Sequence, residues 1–227
     1  VLLALQPDQQ GRVLLAVEAL EIGGVQPFAA TGAPQYVALI AALGNFMPSH
    51  VALLYSIVLT PTRRVVMTDL KAAAEAAGLQ NVETLLATGN LVFDAGDLAV
   101  PAVEAALEST FQRKFGKPVD IIVRDAAAFK ALVAANPFPA QSAEDGSRVI
   151  TRIMRSGVPS DAETRLRSLL DEGERVAVIG GDIWAAFPAR PSASRLLSAI
   201  SSKKLGIGTA RNWNTIQRLA VRLSPAP

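Results

Sequence analysis

Nine residues rich in Val, Leu and Ile, 51–59, predict a buried strand. Thr60-Pro61-Thr62-Arg63-Arg64 then reads as a loop, since Pro61 cannot donate to a sheet ladder. The Ala-rich stretch 67–77 shifts to a helical period, with Thr68 placed to cap it and Gly78 to stop it. A strand at 81–86 and a returning strand at 91–93 flank Ala87-Thr88-Gly89-Asn90, where Gly89 and Asn90 suit the positive φ angles of a tight hairpin. Val103, Ala106, Leu107 and Phe111 share one face of a helix at 101–115, Gly116-Lys117-Pro118 ends it, and 119–123 returns to strand. The order is β-α-β-β-α-β, the plan of a ferredoxin-like fold with two helices on one face of an antiparallel sheet.

A linking helix at 125–135 stops at Asn136-Pro137-Phe138-Pro139, and the pattern resumes. Strand 149–154 leads to a helix at 161–170, where Ser160 and Glu163 have capping-box spacing. Strands 175–179 and 183–187 form a hairpin across Gly180-Gly181-Asp182. A helix at 194–204 ends near Gly206, and a last amphipathic helix covers 213–223. The expected fold is therefore α+β: two ferredoxin-like (βαββαβ-type) halves with mainly antiparallel sheets, plus a C-terminal amphipathic helix. The halves occupy 47–124 and 148–227, joined by a helix and loop at 125–147, with one long shared sheet as an option.

Residues 1–46 differ from the rest. A short helix is expected at 12–20 and a second at 35–43, separated by Gly23-Gly24. Met47 stands directly before the first strong strand and reads as the natural start, with 1–46 an extraneous or fused segment.

Three stretches together carry a resemblance: Ala87-Thr88-Gly89-Asn90-Leu91-Val92-Phe93; Asn136-Pro137-Phe138; and Lys204-Leu205-Gly206 followed by Thr209-Ala210-Arg211-Asn212-Trp213-Asn214-Thr215. In this order and spacing the chain resembles the bacterial family called domain of unknown function 1697, over about 47–223. The resemblance implies tandem α/β halves. Members commonly carry an Arg-Gly-Ile-Asn-Val-Gly-Gly-like stretch where this chain has Tyr55-Ser56-Ile57-Val58-Leu59-Thr60-Pro61, and a Gln-Ser-Gly-Asn hairpin of which only Gly89 and Asn90 match.

Composition narrows the chemistry. Half of the 227 residues are hydrophobic and only 5% aromatic, so the core is aliphatic. Without cysteine there is no disulfide or thiol chemistry, and a reducing, cytoplasmic setting fits. The single histidine, His50, rules out two-His metal sites and reads as an ordinary pre-strand residue. No cofactor, metal or membrane span is called for. Net charge is only +2, but no acid follows Asp182 while Arg190, Arg195, Lys203, Lys204, Arg211, Arg218 and Arg222 do.

That basic end supplies the candidate site. Arg211, Asn212, Trp213, Asn214 and Thr215 are dense in hydrogen-bonding groups. With a helix begun near Ala210, Arg211, Arg218 and Arg222 line the face opposite Trp213 and Ile216. One reading is a docked amphipathic helix capped by Asn212. The other is an anion site, where Asn212, Asn214 and the helix-start N–H groups meet a phosphate or carboxylate. Arg195 and Lys204 are further cationic candidates, and Arg63, Arg64, Gly89 and Asn90 are loop candidates. Three functions follow: a binding module for an anionic, phosphate-bearing or nucleic-acid ligand, ranked first; an enzyme acting on a small substrate through Arg, Asn and Thr; and a structural or oligomerising protein.

Overall fold

The structure is a computed structural model that describes residues 3–7, 13–17, 49–60, 62–191 and 194–223. The chain divides into two compact units, Val1–Gly44 and Asn45–Pro227. In the first, β1 (Leu3–Pro7) pairs antiparallel with β2 (Val13–Val17), Leu3 opposite Val17 and Pro7 opposite Val13. The helix expected over 12–20 is therefore a strand: a run of Val and Leu has no decisive helical period, and a second aliphatic segment is at hand to pair with it. The helix expected at 35–43 lies outside the described residues.

The second unit opens with β3 (His50–Leu54), a small hairpin of β4 (Val58–Thr60) and β5 (Arg63–Arg64), then α1 (Met67–Ala76). There follow β6 (Gln80–Thr84), β7 (Asn90–Asp94), α2 (Val100–Phe115) and β8 (Ile121–Asp125). Two helices, α3 (Ala126–Ala134) and α4 (Pro139–Asp145), lead to β9 (Val149–Met154), α5 (Ala162–Arg167), β10 (Arg175–Ile179) and β11 (Asp182–Ala186). The last elements are α6 (Arg195–Ile200), a 3-10 turn (Lys203–Leu205), β12 (Gly208–Asn212) and α7 (Trp213–Arg222).

The strands form two four-stranded antiparallel sheets, ordered β6-β7-β3-β8 and β10-β11-β9-β12. Within each half the spatial order is second, third, first, fourth strand. The fold is thus α+β with antiparallel sheets, and the halves keep separate sheets rather than one shared one.

Alternation along the strands assigns their faces. In β3, Ala52 and Leu54 turn outward onto α1 and α2, where Leu70, Ala74, Val103, Leu107 and Phe111 meet them. Val51 and Leu53 turn the other way, into a central core shared with Ile153 and Trp184 of the second sheet, Phe129 and Leu132 of α3, and Ile216 and Leu219 of α7. Behind the second sheet, Met154, Ile183 and Ala185 pack with Leu166 of α5 and Leu196 and Ile200 of α6. A sheet buried on both faces explains the near-continuous apolar run of β3.

Several local expectations change. The strand expected over 51–59 stops at Leu54, and its second part becomes β4. Asn90 does not take a positive φ; Leu86 and Gly89 do, and Asn90 starts β7 with its side chain buried. Ser160 makes no capping box, because α5 begins after Asp161 with no side-chain cap. The largest difference is β12. Its residues, Gly208-Thr209-Ala210-Arg211-Asn212, alternate too weakly to announce a strand, yet they pair with β9 and complete the second sheet.

Candidate functional site

Two arginines, Arg211 buried and Arg124 partly buried, lock the halves together, each from the same place in its half. Arg124 is the fourth residue of β8 and Arg211 the fourth of β12. Arg211 Nε donates to Asn90 Oδ1 at 2.6 Å, and its terminal nitrogens donate to Leu54 O at 2.9 Å, Gly89 O at 3.1 Å and Thr88 O at 3.2 Å, all in the first half. Thr209 Oγ1 and Ala210 O, each at 2.8 Å, take its remaining donors. Arg124 reaches the reverse way, to Met154 O and to Asp182 Oδ1 at 3.5 Å, while also donating to Val123 O. Leu54 and Met154 end the first strands of their halves, and Asn90 and Asp182 begin the third. The residues after the arginines match as well: Asp125 and Asn212 cap α3 and α7 by accepting from the N–H three residues on.

Arg211 is only 9% exposed, and its partners are all neutral. Burial pulls its guanidinium down to about 10, which leaves it charged at neutral pH. Asp182 is buried too, and burial raises its carboxyl above the ordinary range although Met154 N–H and Arg124 pull the other way.

The outer edges of the two sheets differ. In antiparallel register, Ile121 and Val123 turn their N–H groups away from β3. Glu108 and Glu104 of α2 accept those groups, each at 2.9 Å. Arg155, just beyond β9, reaches across to neutralise both: it bonds Glu108 and Ile121 O, and its Nε lies 3.2 Å from Glu104 Oε2, close enough for an ion pair but out of line for a hydrogen bond. Free sheet edges need such covering.

At the matching place in the second half there is no carboxylate from the covering helix. Tyr55 follows β3 as Arg155 follows β9; Tyr55 N–H donates to Asp120 O and Arg155 N–H to Ile207 O. Gly208 and Ala210 correspond by register to Ile121 and Val123, and among the described residues their outward N–H groups meet no acceptor. A cavity of about 310 Å³ opens here, lined by Tyr55, Asp120, Arg152, Lys203, Gly206, Ile207 and Gly208. Arg152 is 1% exposed, and burial lowers its pKa. Its terminal nitrogens donate to the carbonyls of Ile200, Ser202 and Gly206, while its Nε is unbonded. A Cβ on Gly208 would stand 2.5 Å from Met154 Sδ and 2.9 Å from that Nε and from Ile153 O, so only glycine fits here against β9. Lys203 Nζ lies 5.7 Å from the centre of the Tyr55 ring.

Of the residues expected from sequence, the structure brings Arg211, Asn90 and Gly89 together, but as a buried junction. Arg211 lies on a strand and not on a helical stripe with Arg218 and Arg222. Asn212 caps α7 through Thr215, Trp213 is buried 5.9 Å from Trp184, and Asn214 is exposed. Arg195 pairs with Asp171 at 2.7 Å and Arg222 with Glu83 at 3.4 Å, so acids from earlier in the chain reach the acid-free end. Lys204, Arg63 and Arg64 are exposed and stand apart from the cavity lining. His50 lies in β3, stacked on Phe93; Ser49 Oγ, 2.7 Å from its Nδ1, commits its own proton to Asp94, which does not suit an activated nucleophile. Arg152, Tyr55, Asp120 and Lys203 were not singled out as a group. The legible signal was Arg152, a charge in the middle of the apolar strand Val149–Met154.

Fold and junction define a tandem α+β protein whose two antiparallel sheets share one core and exchange arginines across their junction. The chain belongs to the family described as "Protein of unknown function (DUF1697)", whose model matches residues 47–184. Among solved structures it is similar to the conserved bacterial protein SP0830 from Streptococcus pneumoniae, with a TM-score of 0.60 and 22% identity over 79% of this chain and 100% of that one. That likeness concerns the fold. No curated protein matches the chain. No helix among the described residues is long and apolar enough to cross a membrane.

Replacing Arg211 by Met strands the buried Asn90 Oδ1 and leaves Leu54 O with only Thr209 Oγ1 and Gly89 O with only Leu54 N–H as donor, which should cost roughly 3 kcal/mol. Urea unfolding with an unchanged m-value measures this, and a loss under about 1 kcal/mol would count against the junction. Asp182→Asn tests the second arginine's partner by pH. A carboxyl with a raised folded-state pKa stabilises fully below its unfolded value and loses that contribution as pH rises through the folded one. The Asn variant, which keeps the Oδ1 acceptor without the charge, should therefore gain on the unaltered protein as pH rises from the ordinary carboxylate range, about 4, towards neutrality. A stability difference that stays flat over that window would contradict the buried carboxylate.

Proposed function

We propose that the chain is a binding protein for a small anionic ligand, carboxylate- or phosphate-bearing, taken up in the cavity beside Gly208. The observation that carries this reading is Arg152, a fully buried guanidinium in the cavity wall with an unbonded Nε and no carboxylate partner. A buried charge without a counter-ion is costly, and a ligand anion offsets that cost. Lys203 and the Gly208 N–H add donors on the same wall. In the first half, Glu104 and Glu108 hold the corresponding place, so a carboxylate of the right size already has a precedent within the molecule.

This keeps the anionic ligand expected from sequence and moves it from the start of α7 to the edge of β12. The nucleic-acid version has less support: Arg195 and Arg222 are paired, Arg211 is buried, and the cavity suits a small molecule.

Thermal unfolding at low salt with inorganic phosphate and simple carboxylates is the test. A bound anion should raise stability by about 2.7 kcal/mol at one hundred times its Kd. The exposed Lys203, changed to Glu, should abolish the rise without lowering the unliganded midpoint. No rise with any anion, or a rise that survives Lys203→Glu, would reject the site.

A further inference from the structure

The cavity has a negative side as well. Asp120 lines it, and among the described residues its carboxylate makes no ion pair. Its backbone is fixed, since Asp120 O accepts from Tyr55 N–H at 2.9 Å. A ligand that were only an anion would meet Arg152, Lys203 and the Gly208 N–H favourably and Asp120 unfavourably. Placing an unneutralised carboxylate in an anion cavity works against binding, unless the ligand brings a cation of its own.

The rest of the lining is apolar. Tyr55 and Ile207 are 41% and 42% exposed, large side chains left uncovered where the cavity opens. Three kinds of wall therefore face one space: cationic at Arg152 and Lys203, anionic at Asp120, apolar at Tyr55 and Ile207. A volume of about 310 Å³ lies at the small end of ligand pockets.

Resting on the anion-site reading above, we infer that the ligand is a small zwitterion, a free amino acid with an apolar side chain. Its carboxylate takes the place that Glu108 holds in the other half, meeting the Gly208 N–H, Arg152 and Lys203. Its ammonium group meets Asp120, and its side chain lies against Tyr55 and Ile207. Selectivity follows from chemistry: a molecule lacking either charge leaves one wall unpaired in a partly desolvated site.

Calorimetric titration of the full chain with leucine, 4-methylpentanoate and 3-methylbutylamine separates the possibilities, because the last two each lack one charge. Leucine should bind at least tenfold more tightly than either. Asp120→Asn should weaken leucine at least tenfold and strengthen 4-methylpentanoate; Asp120→Ser, with a different side-chain shape, should do the same. If 4-methylpentanoate binds the unaltered protein as tightly as leucine, the zwitterion is wrong and the anion site stands. If leucine binds and Asp120→Asn leaves it unchanged, Asp120 is no ammonium partner and the inference fails alone. If neither carboxylate binds and phosphate does not either, both readings fall together.

Discussion

Buried carbonyl groups at the ends of strands are the constraint on which this fold turns. When β3 ends at Leu54 and the β6–β7 loop closes at Gly89, their carbonyl oxygens face the other half of the molecule and not water. Each needs a donor. Arg211 supplies several at once from a rigid planar fork, which no other side chain can do. Because Arg124 serves Met154 in the reverse direction, the halves exchange donors much as two subunits of a dimer would. The shared apolar core then sets how tightly the sheets pack, while the arginines set which strand ends meet.

Repetition makes departures from it informative. The two junctions differ in their polar residues: Asn90 faces Arg211 where Asp182 faces Arg124, and Thr209 joins Arg211 where Ile122 stands in the first half. The edges differ more. Long α2 carries Glu104 and Glu108 to the outward N–H groups of β8, whereas α6 is six residues long and leaves β12 to a 3-10 turn and the Gly206-Ile207-Gly208 corner. Where Arg155 fills the first site, Tyr55 leaves the second open. The proposed ligand site rests on this broken equivalence rather than on any motif.

Much of the fold was legible because burial on one or both faces of a strand imposes a strong apolar period, as in β3, β9 and the β10–β11 hairpin. Family membership was legible from short polar blocks such as Arg211-Asn212-Trp213-Asn214. Strand β12 was hidden by its own content: two small residues, two polar ones and an arginine satisfy sheet pairing but show no alternation. Once β12 is a strand, Arg211 leaves the solvent and enters the junction, which is why the basic stripe expected on the last helix does not form. The cavity was out of reach for a different reason. Tyr55, Asp120, Arg152 and Lys203 are scattered over the chain and meet only through the pairing of the two halves. One clue stood in the sequence unread: Arg124-Asp125 and Arg211-Asn212, each just before a helix, are the same junction written twice.

The central claim is that Arg211 is held, charged, by acceptors of the opposite half. Nitrogen-resolved NMR of the arginine side chains observes this directly. The account predicts an Arg211 Nε–H resonance that exchanges slowly with solvent and persists at neutral pH, when the signal of exposed Arg63 has been lost to exchange. An Arg211 Nε–H that exchanges as fast as that of Arg63 would mean that the guanidinium is in water and that something else joins the halves.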